Sequence, residues 1–245
     1  MYTEELVPVM YTRNHQYDTS FVKENLMGPN ALRMIDELAK SLKLEKGMRV
    51  LDLGCGKGLT SIYLAKEFGV TVFATDLWIS ASENYERFKA MGVEDKVIPI
   101  HAEAHDLPFA QEYFDVAVSI DAYHYFGVEP DYLEKYFAPL VKKGGQIIVA
   151  VPGLKEEFSA GVPAGLASYW CDDMENTLHS HEWWLELWKP CEAVEIRESA
   201  EMKCFREAWQ DWLTCGHEIA RKDVGMMADG GWEHFNLVSM VAIKR

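Results

Sequence analysis

No stretch of this 245-residue chain approaches the roughly 20 consecutive apolar residues that cross a bilayer, so no transmembrane helix is expected. Basic residues are scarce: 24 Lys and Arg face 39 Asp and Glu, a net charge of −15 that repels phosphate backbones and anionic lipid surfaces alike. Nucleic acid and membrane are therefore excluded as main partners, and a small-molecule substrate is expected. Cysteine is limited to five residues, an odd number without paired spacing, which suits a reducing cytoplasm better than a disulfide framework. The opening MYTEELVPVM has no basic region ahead of an apolar stretch and is not expected to act as a secretory leader. His179 and His181 lie near Cys171, Asp172 and Asp173, yet this group lacks H-x-x-x-H or C-x-x-C spacing, so no metal is expected. Internal repeats and low-complexity tracts are absent too.

What is present is a rhythm. After the Gly28-Pro29 break, Leu32, Ile35, Leu38, Ala39 and Leu42 recur with helical period over Asn30 to Leu44. MRVLDLG, VTVFATD, KVIPIHA, FDVAVSID and QIIVAVPG read as strands, separated by helical segments such as LTSIYLAKEFG, SASENYERFKAMG and DYLEKYFAPLVKKGG. Alternation of this kind implies a parallel sheet covered on both faces, in a chain whose length fits one domain. Residues 154–181 break the rhythm at Gly161, Pro163 and Gly165, a length that marks a lid or binding insert rather than a plain connection. Ser180 is placed to cap the helix HEWWLELWK, and AVEIRES reads as a strand. Cys204 to Arg221 reads as one helix with a Trp209/Trp212 stripe turned to the sheet, and FNLVSMVAIK as the last strand.

The stretch VLDLGCGKG ends an apolar strand in an acid followed by alternate glycines. Dinucleotide folds require G-x-G-x-x-G, and here Leu59 stands where the third glycine belongs. Asp52-Leu53-Gly54-Cys55-Gly56-Lys57-Gly58 instead resembles the first motif of the class I S-adenosylmethionine (SAM) dependent methyltransferases. Further matches follow in that family's order: Asp76 after the second strand, AEAHDLPF after the third, FDVAVSIDAYHYF over the fourth and LVKKGGQIIVAVP over the fifth. The resemblance implies an α/β Rossmann-like, doubly wound, seven-stranded sheet, mostly parallel with an antiparallel last strand, in three α/β/α layers. It implies SAM as cofactor and S-adenosylhomocysteine as product.

By the same resemblance, the backbone of Gly54, Cys55, Gly56 and Gly58 packs against the methionine and ribose portion, with Asp52 close to the amino acid moiety. Asp76 accepts hydrogen bonds from both ribose hydroxyls, Leu77 packs on adenine, Glu103 and the Ala104 amide meet the adenine edge, and Asp121 lies near the methionine amino group. Three of these have a plainer alternative: Asp76 as a helix cap, Glu103 as a solvated loop acid, Cys55 as a small residue in a tight turn.

Methyl transfer from a sulfonium depends mainly on alignment, so catalytic residues are weakly specified. His124, whose ordinary pKa lies near neutrality, is a candidate base or a structural hydrogen-bonding residue. An extended chain there would turn Tyr123 and Tyr125 to one side and His124 to the other. The Asn/Asp-Pro-Pro-Tyr motif of DNA and protein-amide methyltransferases is missing after the fourth strand. In the segment 1–30, read as a lid, Tyr17 is a catalytic candidate and Tyr11 and His15 are substrate contacts, unless the terminus is disordered. Tyr123 and Trp170 complete the substrate set. The expected activity is methyl transfer to a small molecule, nitrogen favoured over oxygen or sulfur, by a monomer or homodimer. The alternatives are a non-methyl transfer such as cyclopropane synthesis and a SAM-binding sensor.

Overall fold

Strands with side chains alternating between two apolar faces require cover on both, and that is the arrangement found. The computed structural model describes residues 17–245. Seven strands form one sheet in the order β3-β2-β1-β4-β5-β7-β6: β1 (Arg49–Leu53), β2 (Thr71–Asp76), β3 (Val97–His101), β4 (Phe114–Ile120), β5 (Val141–Leu154), β6 (Val194–Glu201) and β7 (Phe235–Lys244). β1 to β5 pair in parallel, and β7 runs antiparallel between β5 and β6. Val50, Val116, Val118, Ile148 and Ala150 face one core, with α2 (Ala31–Leu38), α3 (Leu59–Phe68) and α7 (Phe205–Leu213) packed on them. Leu51, Ala117, Ile147, Val149 and Val151 face the other, beneath α6 (His181–Trp188) and the turn at 133–137. Further helices are α1 (Thr19–Asn25), α4 (Ala81–Ala90), α5 (Asp172–Thr177), α8 (Glu218–Met226) and the single turn α9 (Trp232–His234). Among the described residues no helix is long and apolar enough to cross a membrane.

Local chemistry explains the helix ends. Ser80 and Glu83 form a reciprocal capping box at α4, and the Ser180 hydroxyl accepts from the Trp183 amide at α6. Buried Asn30 caps α2 by accepting from the Leu32 amide and fastens α7 to it by donating its side-chain amide to Asp211 at 2.7 Å. Its backbone N–H donates to Ala208 O at 3.0 Å.

Three expectations differ from the structure. Residues 131–145 do not form one helix: a π-turn at 133–137 gives way to a 3-10 turn at 138–140, and β5 already begins at Val141. Pro139 lacks the N–H that a continuing helix needs. The segment 204–221 is two helices, α7 and α8, broken at Gly216, whose φ of 90° no ordinary helix accommodates. Residues 123–125 form a 3-10 turn rather than an extended strand, so the Tyr/His alternation over them does not hold.

The strand order reverses between β1 and β4, with β2 and β3 on one side and β5 to β7 on the other. Such a reversal opens a crevice at the strands' carboxyl ends.

Candidate active site

A cavity of about 700 Å³ occupies that crevice. Its walls come from the glycine loop after β1, the turns after β2, β3 and β4, the segment 25–29, and α5, α7 and α8.

The loop is built for close approach. Gly54 has φ of 73°, and a Cβ there would stand 2.3 Å from the Ala122 Cβ, so only glycine fits. The Gly54 and Cys55 amides donate to Thr75 O, while the Gly56 amide donates to Asp76 Oδ2 at 2.8 Å. Asp76 Oδ1 accepts from the Trp78 and Ile79 amides, both at 2.8 Å. One carboxylate thus ties the glycine loop to the entry of α4 while lining the cavity. Buried Asn84, on α4, donates to Gly56 O at 2.9 Å; nothing in the local sequence marked it. Gly58, the N-cap of α3, supplies no side chain, which leaves that helix end open to the cleft wall at Leu59 and Thr60.

Asp52 lies beneath the loop and outside the cavity wall. It is fully buried, with Oδ2 accepting from the Thr60 and Ser61 hydroxyls and Oδ1 without a partner. Burial pushes its carboxyl up to about 6 despite those two hydroxyls. The folded-state pKa is raised above the ordinary 3.8, so stability is fullest below that value and is lost as pH rises through about 6. The shift corresponds to ~3 kcal/mol. Chemical denaturation of wild-type protein and Asp52→Asn is expected to show their stability difference changing by about that amount between pH 4 and 7.5. A constant difference would mean that Asp52 is not the group titrating there. Burial, with the Asp52 and Asp76 charges, also raises the Cys55 thiol well above its ordinary range, so it remains a small inert residue of the turn.

Asp121, just after β4, takes the left-handed conformation (φ 59°), with its amide donating to Ala150 O at 2.7 Å. Its side chain has no hydrogen-bond or ion-pair partner among the described residues. It lines the cavity against Gly28, where a Cβ would fall 2.2 Å from Oδ2. Desolvation alone raises its carboxyl well above the carboxylate range. A lone, strained, desolvated acid in a cleft marks a site for a cationic ligand group.

His124 also lines the cavity, only 4% exposed, with Nδ1 buried and unpaired. Burial depresses it to about 3, so the ring is neutral at physiological pH. The readily protonated base expected from its ordinary pKa is therefore not what the fold provides, because desolvation disfavours the charged ring. Glu103 lines the cleft but is shared with His105, accepting from its amide at 2.8 Å and bonding its Nδ1 at 2.7 Å. Those bonds outweigh the desolvation of Glu103 and lower its carboxyl. Ala104 lies beside it, its carbonyl held by the Tyr132 hydroxyl at 3.0 Å. Leu77 is half exposed at the rim, next to Trp78, which is 64% exposed and meets Tyr125 edge-on at 5.1 Å.

The remaining sequence candidates lie elsewhere. Tyr17 is buried against α3, where its hydroxyl donates to Glu67 at 2.9 Å, and it does not line the cavity. Tyr123 is wholly buried in the opposite core against Tyr132, Phe137, Trp184 and Trp188. Trp170 packs on Phe158 and Phe235 outside the cavity wall. Tyr11 and His15 fall outside the described residues. In their place Trp209 and Trp212 line the cavity, together with Met174, Leu178, Asp173 and Asp223. The 204–221 stripe carried that signal, but its apolar period is the same whether it faces a sheet or a cleft.

Residues 50–145 match the family described as methyltransferase domain. Over those residues the match supports a class I SAM-dependent methyltransferase domain. Methyltransferase GfsG of Streptomyces halstedii is 28% identical over 67% of this chain and 61% of its own length. The 27-O-demethylrifamycin SV methyltransferase of Amycolatopsis mediterranei is 33% identical over 47% of this chain and 42% of its own. The chain thus spans less than two thirds of either relative. Other relatives carry the names of C- and N-methyltransferases, acting on a sterol and on phosphoethanolamine. In fold, the methyltransferase domain resembles the geranyl diphosphate C-methyltransferase of Streptomyces coelicolor A3(2), solved with S-adenosylhomocysteine. The TM-score is 0.68 at 16% identity, covering 88% of this chain and 77% of that one. Among the described residues, no group of three or more His, Cys, Asp or Glu side chains converges as a metal site.

Proposed function

We propose that the protein transfers a methyl group from SAM to a small-molecule acceptor, with nitrogen as the favoured atom. The observation that carries this reading is Asp121: an unpartnered, desolvated carboxylate at the switch point, facing the same cleft as the glycine loop and Asp76. The cleft suits a cationic amino acid group at Asp121, a hydroxyl pair at Asp76, and a flat ring between Leu77 and the Glu103-Ala104 edge. SAM, when bound, supplies a sulfonium-activated methyl group. The protein's own residues then orient: Asp121 holds the ammonium, Gly54 and Gly56 admit the backbone contact, and Asp76 fixes the sugar.

At the acceptor end, neutral His124 offers a hydrogen-bond acceptor without adding positive charge. An amine needs to lose one proton to expose its lone pair, and that proton passes to water rather than being retained on an imidazole so weakly basic. We read residues 17–30, the described part of the N-terminal segment, and the insert 154–181 as covers over one catalytic domain. Support comes from Leu26, Met27 and Gly28 on one side of the cavity and Met174 and Leu178 on the other. Nitrogen is favoured by the acids of the cleft, Asp121, Asp173 and Asp223. Lys57 is the lone Lys or Arg among the described lining residues, and it donates to Glu24 O at 2.9 Å.

Incubation with SAM labelled on its methyl group, against amines, phenols, thiols and carboxylates with tRNA and DNA as controls, tests the reading. Label is expected in the amines. Label in phenols or thiols would move the acceptor atom. Bound SAM with no label anywhere would favour a non-methyl transfer or a sensor.

A further inference from the structure

The cavity is also walled by residues of α5, α7 and α8. We propose that this part is a chamber for an amine carrying a ring-sized apolar body, and that Asp223, held by Trp212, is the residue that selects it. The inference rests on the donor reading above, since the chamber matters only if the glycine-loop end holds SAM.

Three observations lead there. The walls are apolar and aromatic: Trp209 and Trp212 from α7, Met226 from α8, with Met174, Leu178 and Phe235 opposite. Into this surface the structure sets Asp223, which accepts from Trp212 Nε1 at 2.8 Å through Oδ2. Its Oδ1 has no partner among the described residues, and burial raises its carboxyl above the ordinary range although the indole N–H opposes this. That oxygen stands in a largely apolar wall as an acceptor available to a ligand donor.

The second observation is electrostatic. Asp173 lines the cavity from α5, as do Asp121 after β4 and Asp223 on α8. The three carboxylates therefore share one region. His124 beside them stays neutral, so nothing there opposes a cation. Rings flank the same region, and a cation over an indole face gains further attraction.

The third observation is an unmet polar group. Trp209, nine-tenths buried and part of the wall, has an Nε1–H without any partner. Asn30 and Arg33 hold α7 through Asp211, with the Arg33 Nε at 2.5 Å, so the Trp212–Asp223 pair is pre-positioned rather than assembled by the ligand.

The probes are 2-phenylethylamine and its neutral counterpart 2-phenylethanol, titrated with saturating S-adenosylhomocysteine and followed by tryptophan fluorescence. S-adenosylhomocysteine affinity is read in each protein as the measure of an intact cleft. Wild-type protein is expected to prefer the amine by about tenfold or more, the scale of one charge-assisted hydrogen bond. In Asp223→Asn, which keeps an oxygen for Trp212, the preference is expected to fall to within about twofold. Equal affinity for the two probes in wild-type protein, or a preference that survives Asp223→Asn, overturns the inference while leaving the donor reading in place. Failure of wild-type protein to bind S-adenosylhomocysteine overturns both.

Discussion

Asp76→Ala is expected to reduce SAM affinity by about a hundredfold or more, because the lost carboxylate serves two charge-assisted functions at once. One function is internal: it accepts from the Gly56, Trp78 and Ile79 amides and so sets the spacing between the glycine loop and the entry to α4. Removing it strands three backbone donors and loosens both walls of the cleft. The other is toward the ligand, since the carboxylate lines the cavity, where the proposed hydroxyl pair would meet it. Each hydrogen bond to a charged group contributes roughly 1.5–3 kcal/mol, and two such losses give a change of the expected size. Calorimetric titration checks the result, with circular dichroism confirming that the sheet persists. Unchanged affinity would remove Asp76 from the donor site.

Asp121→Asn is expected to move two quantities in opposite directions. Ligand-free protein gains stability, because an uncompensated carboxylate no longer has to be held in a desolvated cleft. Asparagine tolerates the left-handed backbone at φ 59°, so the substitution adds no strain. A rise in Tm of about 3 °C corresponds to ~1 kcal/mol in a chain of this length. SAM affinity falls about ten- to hundredfold as the partner of the ammonium loses its charge. The pH dependence has a defined sign. The folded-state pKa of Asp121 is raised, so its contribution favours the folded state at low pH and is lost as pH rises from 3.8 toward the raised value. The Asn variant lacks that loss. Thermal melts with and without SAM measure all three effects, and a destabilised variant that still binds SAM normally would contradict the assignment.

The sheet was legible in the sequence because its strands are short apolar runs ending in acids or glycines, as in VLDLG and VTVFATD. The place of the cleft was legible for the same reason: motif residues occupy strand ends, and strand ends converge at a switch point. What failed was side-chain direction where the backbone is irregular. Tyr123, His124 and Tyr125 share a 3-10 turn, which buries the first in the far core, sets the second in the cleft wall and exposes the third. The tryptophans failed differently. Trp170 sits in the irregular insert, and Trp209 and Trp212 occupy a regular helix stripe, but irregularity does not determine which surface faces a cavity. That depends on α7 being fastened to Asn30 and Arg33, more than 170 residues away in the chain. Tyr17 was misplaced by proximity in sequence to Met27 and Gly28, which do reach the cleft.

The most direct test of the central claim is a calorimetric titration of SAM into the purified protein, with NAD as the comparison ligand. The account predicts one SAM per chain with micromolar or tighter affinity and no measurable heat with NAD, because Leu59 stands where a dinucleotide loop requires glycine. Binding of NAD, or no binding of SAM, would contradict it.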